Sequence, residues 1–77
     1  MDVLKKIKVL IESMGFEVEQ IKHSSKLKDD IGMDSLDIIE LSVMIENFYN
    51  VTIEDNSLFS VETLDDLEII IINKLKI

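Results

Sequence analysis

The chain has 77 residues, of which 47% are hydrophobic, and it contains no cysteine and one histidine. These numbers predict one small domain over residues 1–77, with a single core that neither disulfides nor a spaced set of zinc ligands can supplement. A formal net charge of −8, with lysine as the only basic residue type, excludes a surface that follows nucleic-acid phosphates.

The first predicted element is an amphipathic helix that ends at Gly15, a residue suited to a left-handed helix end. Apolar residues recur there at helical spacing: Val3, Leu4, Ile7, Leu10, Ile11 and Met14. The absence of proline and of strand-like alternation favours an all-helical domain. Residues 16–33 show no sustained period, which predicts a long loop. We expect its scattered apolar residues to fasten it to the core: Phe16, Val18, Ile21, Leu27 and Ile31.

A second helix is predicted from Ser35 to about Tyr49, with Asp34 as N-cap and Asp37 three residues later. One side of this helix is the ordinary buried stripe and comprises Ile38, Leu41, Ile45 and Tyr49. A second apolar stripe lies almost opposite and comprises Leu36, Ile39 and Val43. A bundle this small cannot cover both stripes, so we predict that the second one is an exposed docking surface. The alternative is that Leu36 or Ile39 packs beneath the long loop.

Acidic residues border this predicted docking surface. Residues 29–73 contain twelve of the sixteen acids and neither lysine nor arginine. The distribution predicts partners with basic patches, although acids also keep small apolar domains in solution.

The C-terminal part predicts a single turn of helix around residues 55–58 and a last helix after Thr63, with Asp66 completing its cap. The last helix contains the longest unbroken apolar run, Ile69 to Ile72, far below the roughly 20 residues of a bilayer span. We therefore expect no membrane insertion. The chain also begins without a signal-peptide pattern, and we expect a cytoplasmic protein.

The sequence does not match the catalytic and metal-binding motifs that it partly resembles. Ser35 is outside a G-x-S-x-G turn, and His23 has no carboxylate close to it in sequence that could orient it. Residues 29–40 have the length of a calcium loop, but Ile31 and Met33 occupy ligand positions. We predict a chain that is not an enzyme and that has no metal site.

Ser35 remains as the candidate functional residue. If Asp34 caps the helix, the Ser35 hydroxyl is free to point outward at a helix end that favours an attached anion. The alternative is a serine that only helps to start the helix.

The segment Gly32-Met33-Asp34-Ser35-Leu36 resembles the G-x-D-S-L attachment motif of the acyl carrier protein family. The next residues, from Asp37 to Leu41, are similar to the D-x-x-E-L continuation of that motif. The likeness extends over essentially the whole chain. It implies an all-α, up-and-down four-helix bundle with a long loop between helices one and two and a short helix three.

This resemblance also implies the chemistry of Ser35. A phosphopantetheinyl transferase (holo-acyl-carrier-protein synthase) attaches 4′-phosphopantetheine from coenzyme A there, and Gly32, Asp34 and Leu36 complete the motif. The thiol of the arm then holds an acyl chain as a thioester for enzymes that dock the carrier.

The family pattern further implies which residues meet partners and cargo. Partner contacts are expected at Asp34, Leu36, Asp37, Ile39, Glu40, Val43, Glu46, Ile53 and Asp55. An acyl cavity is expected to be lined by Leu41, Ile45, Leu58, Phe59 and Leu67. We expect a monomeric carrier of type II fatty acid biosynthesis, whose partners are fatty acid or polyketide synthesis enzymes with basic docking patches. The alternatives are a carrier dedicated to a polyketide or other secondary pathway and, in another class, a helical adaptor without a prosthetic group.

Overall fold

A computed structural model describes residues 3–76 of the chain. It contains four α-helices, which are α1 (Val3–Ser13), α2 (Ser35–Tyr49), α3 (Asp55–Phe59) and α4 (Leu64–Leu75). One π-helical turn, Leu27–Ile31, lies in the connection between α1 and α2. The predicted all-helical fold with a long first connection and a short third helix is confirmed, whereas the π-helical turn was not predicted.

The helix ends are set by local hydrogen bonds that the sequence specifies. Gly15 follows α1 in the left-handed conformation, with φ 98°. Reciprocal bonds between side chain and backbone form a capping box at α2, between Asp34 and Asp37, and another at α4, between Thr63 and Asp66. Such caps satisfy backbone N–H groups that have no partner within the helix. The predicted starts of α2 and α4 are therefore confirmed.

The core lies where α1 packs against α2 and α4. Helices α1, α2 and α4 each contribute fully buried apolar side chains at helical spacing, and the loop adds Leu27. The fully buried large side chains are Ile7, Ile11, Leu27, Leu41, Ile45, Leu64, Leu67 and Ile71. Burial of these side chains is the main source of stability in a domain without disulfides.

The long loop is held on the bundle by apolar contacts and by backbone bonds to the start of α4. All five predicted anchors pack in or against the core, as does Met33. The N–H of Leu27 donates to the carbonyl of Glu62 at 3.0 Å, and the N–H of Leu64 donates to the carbonyl of Ser25 at 3.0 Å. These contacts hold the loop against the bundle and thereby position the residues that lead into α2.

The cap of α4 gives the fold a predicted dependence on pH. Backbone N–H groups of Thr63 and Glu62 donate to the Asp66 carboxylate, and these bonds lower the pKa of Asp66. Because the folded pKa lies below the unfolded value of about 3.9, the stabilisation is fully present above that value. It is lost as the pH falls through the folded pKa.

We expect Asp66→Asn to lower the free energy of unfolding by about 1 kcal/mol at pH 7. At pH 3 the difference from the wild-type chain should be smaller. That pH lies below the unfolded pKa of about 3.9, so the unfolded wild-type chain takes up a proton at Asp66 and part of the stabilisation is lost. Urea denaturation at both pH values measures this difference, with Glu19→Gln in the exposed loop as the control. A deficit in Asp66→Asn that does not shrink on acidification would contradict the assignment.

Within residues 3–76, no helix combines the length and apolar character that crossing a bilayer requires.

Candidate functional site

Ser35 is the first residue of α2, and its side chain is exposed. The N–H of Asp37 donates to the Asp34 carboxylate at 2.9 Å, and the N–H of Asp34 donates to the Asp37 carboxylate at 3.1 Å. The cap is therefore complete without Ser35, whose hydroxyl makes no hydrogen bond within residues 3–76. As the sequence predicted, the helix start leaves this hydroxyl available to solvent.

The backbone that presents Ser35 is shaped by the π-helical turn. The Lys26 carbonyl accepts from the N–H groups of both Asp30 and Ile31, at 3.0 and 3.1 Å. Gly32 then adopts a left-handed conformation with φ 93°, and its N–H donates a hydrogen bond to the Leu27 carbonyl. A side chain at this φ would be strained, so glycine is the residue that suits this turn. Gly32 therefore acts through its backbone conformation, by turning the chain into α2.

A small cavity of about 50 Å³ lies beside Ser35. Its walls are apolar side chains from α2, from α3 and from the segment after α3, with one lysine from the π-helical turn. The lining residues are Lys28, Ser35, Ile38, Ile39, Leu58, Phe59 and Val61. The sequence analysis did not assign Lys28, Ile38 or Val61 to this place, because only the fold brings these three segments together.

The predicted acyl-cavity residues fall into two groups. Leu41, Ile45 and Leu67 are fully buried in the core, whereas Leu58 is buried and also contacts the small cavity. Phe59 is 73% exposed, so it does not lie in the core with the other four residues. It forms part of the rim of the cavity beside Ser35.

The second apolar stripe of α2 is exposed, as its angular position predicted. Leu36, Ile39 and Val43 are 76%, 41% and 47% exposed. Packing of Leu36 or Ile39 beneath the loop is therefore not observed. We call these three residues the docking strip. Glu40 is exposed beside it, so an apolar centre with an acidic neighbour is present on this face.

The predicted partner residues near α3 differ from one another in how far they are exposed. Asp55 is exposed in the first turn of α3. Glu46 is partly buried, and its carboxylate accepts the N–H of Ile53 at 2.8 Å, which joins α2 to the start of α3. The predicted partner contact through Ile53 is wrong, because its side chain packs in the core and is only 6% exposed.

Acids outside α2 are partly neutralised by lysines. Lys74 Nζ lies 2.7 Å from Glu54 Oε1, and this hydrogen bond lowers the pKa of Glu54. Lys26 Nζ lies 3.7 Å from Glu62 Oε1. Both pairs are substantially exposed, so we expect each to contribute little to stability.

The fold gives His23 a carboxylate partner that the sequence analysis missed. Its Nδ1 lies 2.6 Å from Oε2 of Glu68, which is 45 residues away in the chain. The sequence analysis considered only carboxylates close to His23 in the chain, and the neighbouring sequence carries no signal for a contact between the loop and α4.

The site combines an exposed hydroxyl at the start of α2 with a small, mostly apolar cavity that has Lys28 in its lining. The positive end of a helix and a lysine both favour a negatively charged group nearby.

Comparison with known proteins agrees with this geometry. The family model described as "Phosphopantetheine attachment site" matches residues 7–71. An acyl carrier protein of Phytoplasma australiense is 35% identical over 66 residues, which are 84% of this chain and 87% of that relative. An acyl carrier protein of Chlorobium phaeobacteroides is 39% identical over 56 residues, or 73% of this chain and 72% of that relative.

Solved structures show the same likeness. A crystal structure of an acyl carrier protein from Thermotoga maritima matches with a TM-score of 0.82 and 30% identity, over 95% of this chain and 85% of that chain. A mitochondrial acyl carrier protein of Toxoplasma matches with a TM-score of 0.64 over 97% of this chain and 94% of that chain. At 22% identity, this second structure is similar in fold alone.

Proposed function

This chain belongs to the acyl carrier protein family, and from that membership we propose that Ser35 carries its 4′-phosphopantetheine arm and that the carrier serves type II fatty acid biosynthesis. Carriers of this family are not catalysts, and phosphopantetheine is their prosthetic group. The observation that supports Ser35 most strongly is its exposed hydroxyl at the start of α2, with the cap supplied entirely by Asp34 and Asp37.

In the proposed attachment, a phosphopantetheinyl transferase uses coenzyme A as donor. The Ser35 oxygen attacks the phosphorus that bears the pantetheine arm and loses its proton to the transferase. The pyrophosphate bond of coenzyme A breaks in the same step, and adenosine 3′,5′-bisphosphate leaves. The capping box holds the start of α2 in place, so that the positive end of the helix lies next to the new phosphate. Lys28, in the lining of the adjacent cavity, adds a positive charge to this region. When bound, the arm supplies a terminal thiol that holds an acyl group as a thioester. Ile38, Leu58 and Phe59 offer the start of that acyl chain an apolar wall.

The docking strip is proposed as the surface that partner enzymes contact. Exposed apolar side chains contribute affinity when a partner covers them, and neighbouring acids attract a basic patch and orient it. The strip starts one residue after Ser35, so a docked enzyme would be placed next to the arm. We further propose that the carrier acts as a monomer in the cytoplasm.

Charge reversal beside the docking strip tests this surface. We expect Glu40→Lys to slow acyl transfer to a partner by about tenfold at low salt, because steered association depends on complementary charge. The effect should shrink as salt rises, since exposed charges are screened over about 10 Å at 0.1 M. Stopped-flow or quenched transfer kinetics measure it.

Glu12→Lys, an exposed charge reversal on α1, is the matched control and should leave transfer close to the wild-type rate. Equal slowing by both substitutions would mean that net charge alone matters, and unchanged kinetics of Glu40→Lys at low salt would remove α2 as the docking surface.

Reconstitution tests the pathway. The chain carrying its arm is given malonyl and acyl groups together with purified type II fatty acid synthesis enzymes or, separately, polyketide synthesis enzymes. We expect successive two-carbon elongation with the fatty acid enzymes. Elongation only with the polyketide enzymes would assign the carrier to a secondary pathway, and a chain that never accepts an arm would be an adaptor.

A further inference from the structure

The long loop and α4 bring together three side chains that can bind a metal ion. His23, Asp65 and Glu68 each offer one ligand atom, and these atoms all lie within 4.8 Å of one another. Asp65 and Glu68 are three residues apart on α4, so they face the same side of the helix. The N–H of Asp65 also donates to the carbonyl of His23 at 2.8 Å, which holds the loop against the helix at this point.

Among the acids within residues 3–76, Glu68 is unusual because its side chain is only 8% exposed. A buried carboxylate is costly unless a cation or several donors compensate it. The hydrogen bond to His23 is the only hydrogen bond or ion pair found for this side chain within residues 3–76. Its second oxygen is not among the fully buried polar atoms without a partner, so that oxygen is open to a further ligand. The arrangement is therefore suited to a positive ion held between the loop and α4.

From these contacts we propose that His23, Asp65 and Glu68 form a Zn²⁺ site that fastens the long loop to α4. One imidazole nitrogen and two carboxylate oxygens are ligands that Zn²⁺ accepts, with water completing the coordination. Mg²⁺ and Ca²⁺ favour sites made of oxygen alone, so the histidine selects against them.

Binding requires only small movements. Two ligand atoms of a tetrahedral Zn²⁺ ion lie about 3.3 Å apart, so Nδ1 and Oε2 must separate by about 0.7 Å from their hydrogen-bonded distance of 2.6 Å. His23 and Asp65 are exposed and can make this adjustment, whereas Glu68 is fixed by the core around it. The site goes beyond the proposed carrier function. A bound ion would hold the loop that leads to Ser35 more tightly against α4.

The single histidine makes the test direct. The full chain, without tag or arm, is titrated with ZnCl₂ while the imidazole nitrogens are followed by NMR and the melting temperature is recorded. The arm is left off because its thiol would itself bind zinc. We expect saturation at one equivalent, a large shift of the His23 signals and a raised melting temperature. MgCl₂ and CaCl₂ at the same concentrations should not shift the His23 signals.

Two exposed ligands supply the variants, because Glu68 substitutions could disturb the core. His23→Gln and Asp65→Asn should each weaken Zn²⁺ binding by at least about tenfold, since losing even an outer-shell partner costs 10–100-fold. Glu12→Gln, an exposed acid on α1, should bind like the wild-type chain. No His23 shift, or equal Zn²⁺ affinity in His23→Gln and wild type, would overturn the site and leave only general attraction of cations to an acidic protein.

Discussion

Replacing Ser35 with alanine is expected to abolish the attachment of phosphopantetheine completely while leaving the fold intact. The hydroxyl is the proposed nucleophile, and alanine has no atom that can form the phosphate bond. The cap is made by Asp34 and Asp37, so removal of the hydroxyl breaks no hydrogen bond found within residues 3–76. Stability should change by no more than about 0.5 kcal/mol, as for other surface substitutions.

Intact-mass measurement after incubation with coenzyme A and a phosphopantetheinyl transferase measures this loss. Ser24→Ala is the matched control, because Ser24 is also exposed but lies in the loop, and it should gain one arm like the wild-type chain. If the Ser35→Ala chain still gained an arm, the attachment site would lie elsewhere. A circular dichroism melt of each variant separates loss of the site from loss of the fold.

The second large effect is expected in the core of α4. Ile71 is fully buried among the side chains of the bundle, so Ile71→Ala removes apolar contacts and leaves a cavity. We expect a loss of about 2–5 kcal/mol in the free energy of unfolding. Native stability amounts to roughly 0.05–0.15 kcal/mol per residue, so a loss of this size is a large fraction of the total stability in a domain this short.

Ile69→Ala provides a control in the same helix and the same apolar run. Ile69 is 51% exposed, so its truncation should change the free energy of unfolding by only about 0.5 kcal/mol. Urea denaturation at 25 °C measures both variants. Equal destabilisation by the two substitutions would show that the packing of α4 differs from the arrangement described here.

The helices were predictable because their start and end signals are local. Asp34 with Asp37, and Thr63 with Asp66, lie three residues apart, so the capping boxes can be recognised in the sequence itself. The exposed docking strip was predictable for a related reason, since helical geometry fixes which side chains share a face. These rules also placed Ser35 at the start of α2.

The features that were missed depend on contacts between distant segments. The π-helical turn lies in a loop tied to α4, through the bond between Leu27 and Glu62. Likewise, His23 meets Glu68 across 45 residues. Ile53 follows a helix in an irregular segment, where no periodicity indicates which side chains face the core. Sequence patterns describe neighbours along one element, whereas these contacts arise only when the elements pack.

The lining of the cavity beside Ser35 was predicted only in part. Leu58 was assigned near the acyl chain, but Lys28 comes from the turn whose geometry only the fold reveals. Because Lys28 is the one basic residue in this lining, the electrostatics of the site could be described only after the loop had been placed.

Tandem mass spectrometry of the wild-type chain, after loading by a phosphopantetheinyl transferase, tests the attachment to Ser35 most directly. It locates the added group among the seven serines and two threonines of the sequence. We expect fragment ions to place a single phosphopantetheine on Ser35, in the peptide that begins α2. A group found on any other residue, or no added group on a folded chain, would contradict the account.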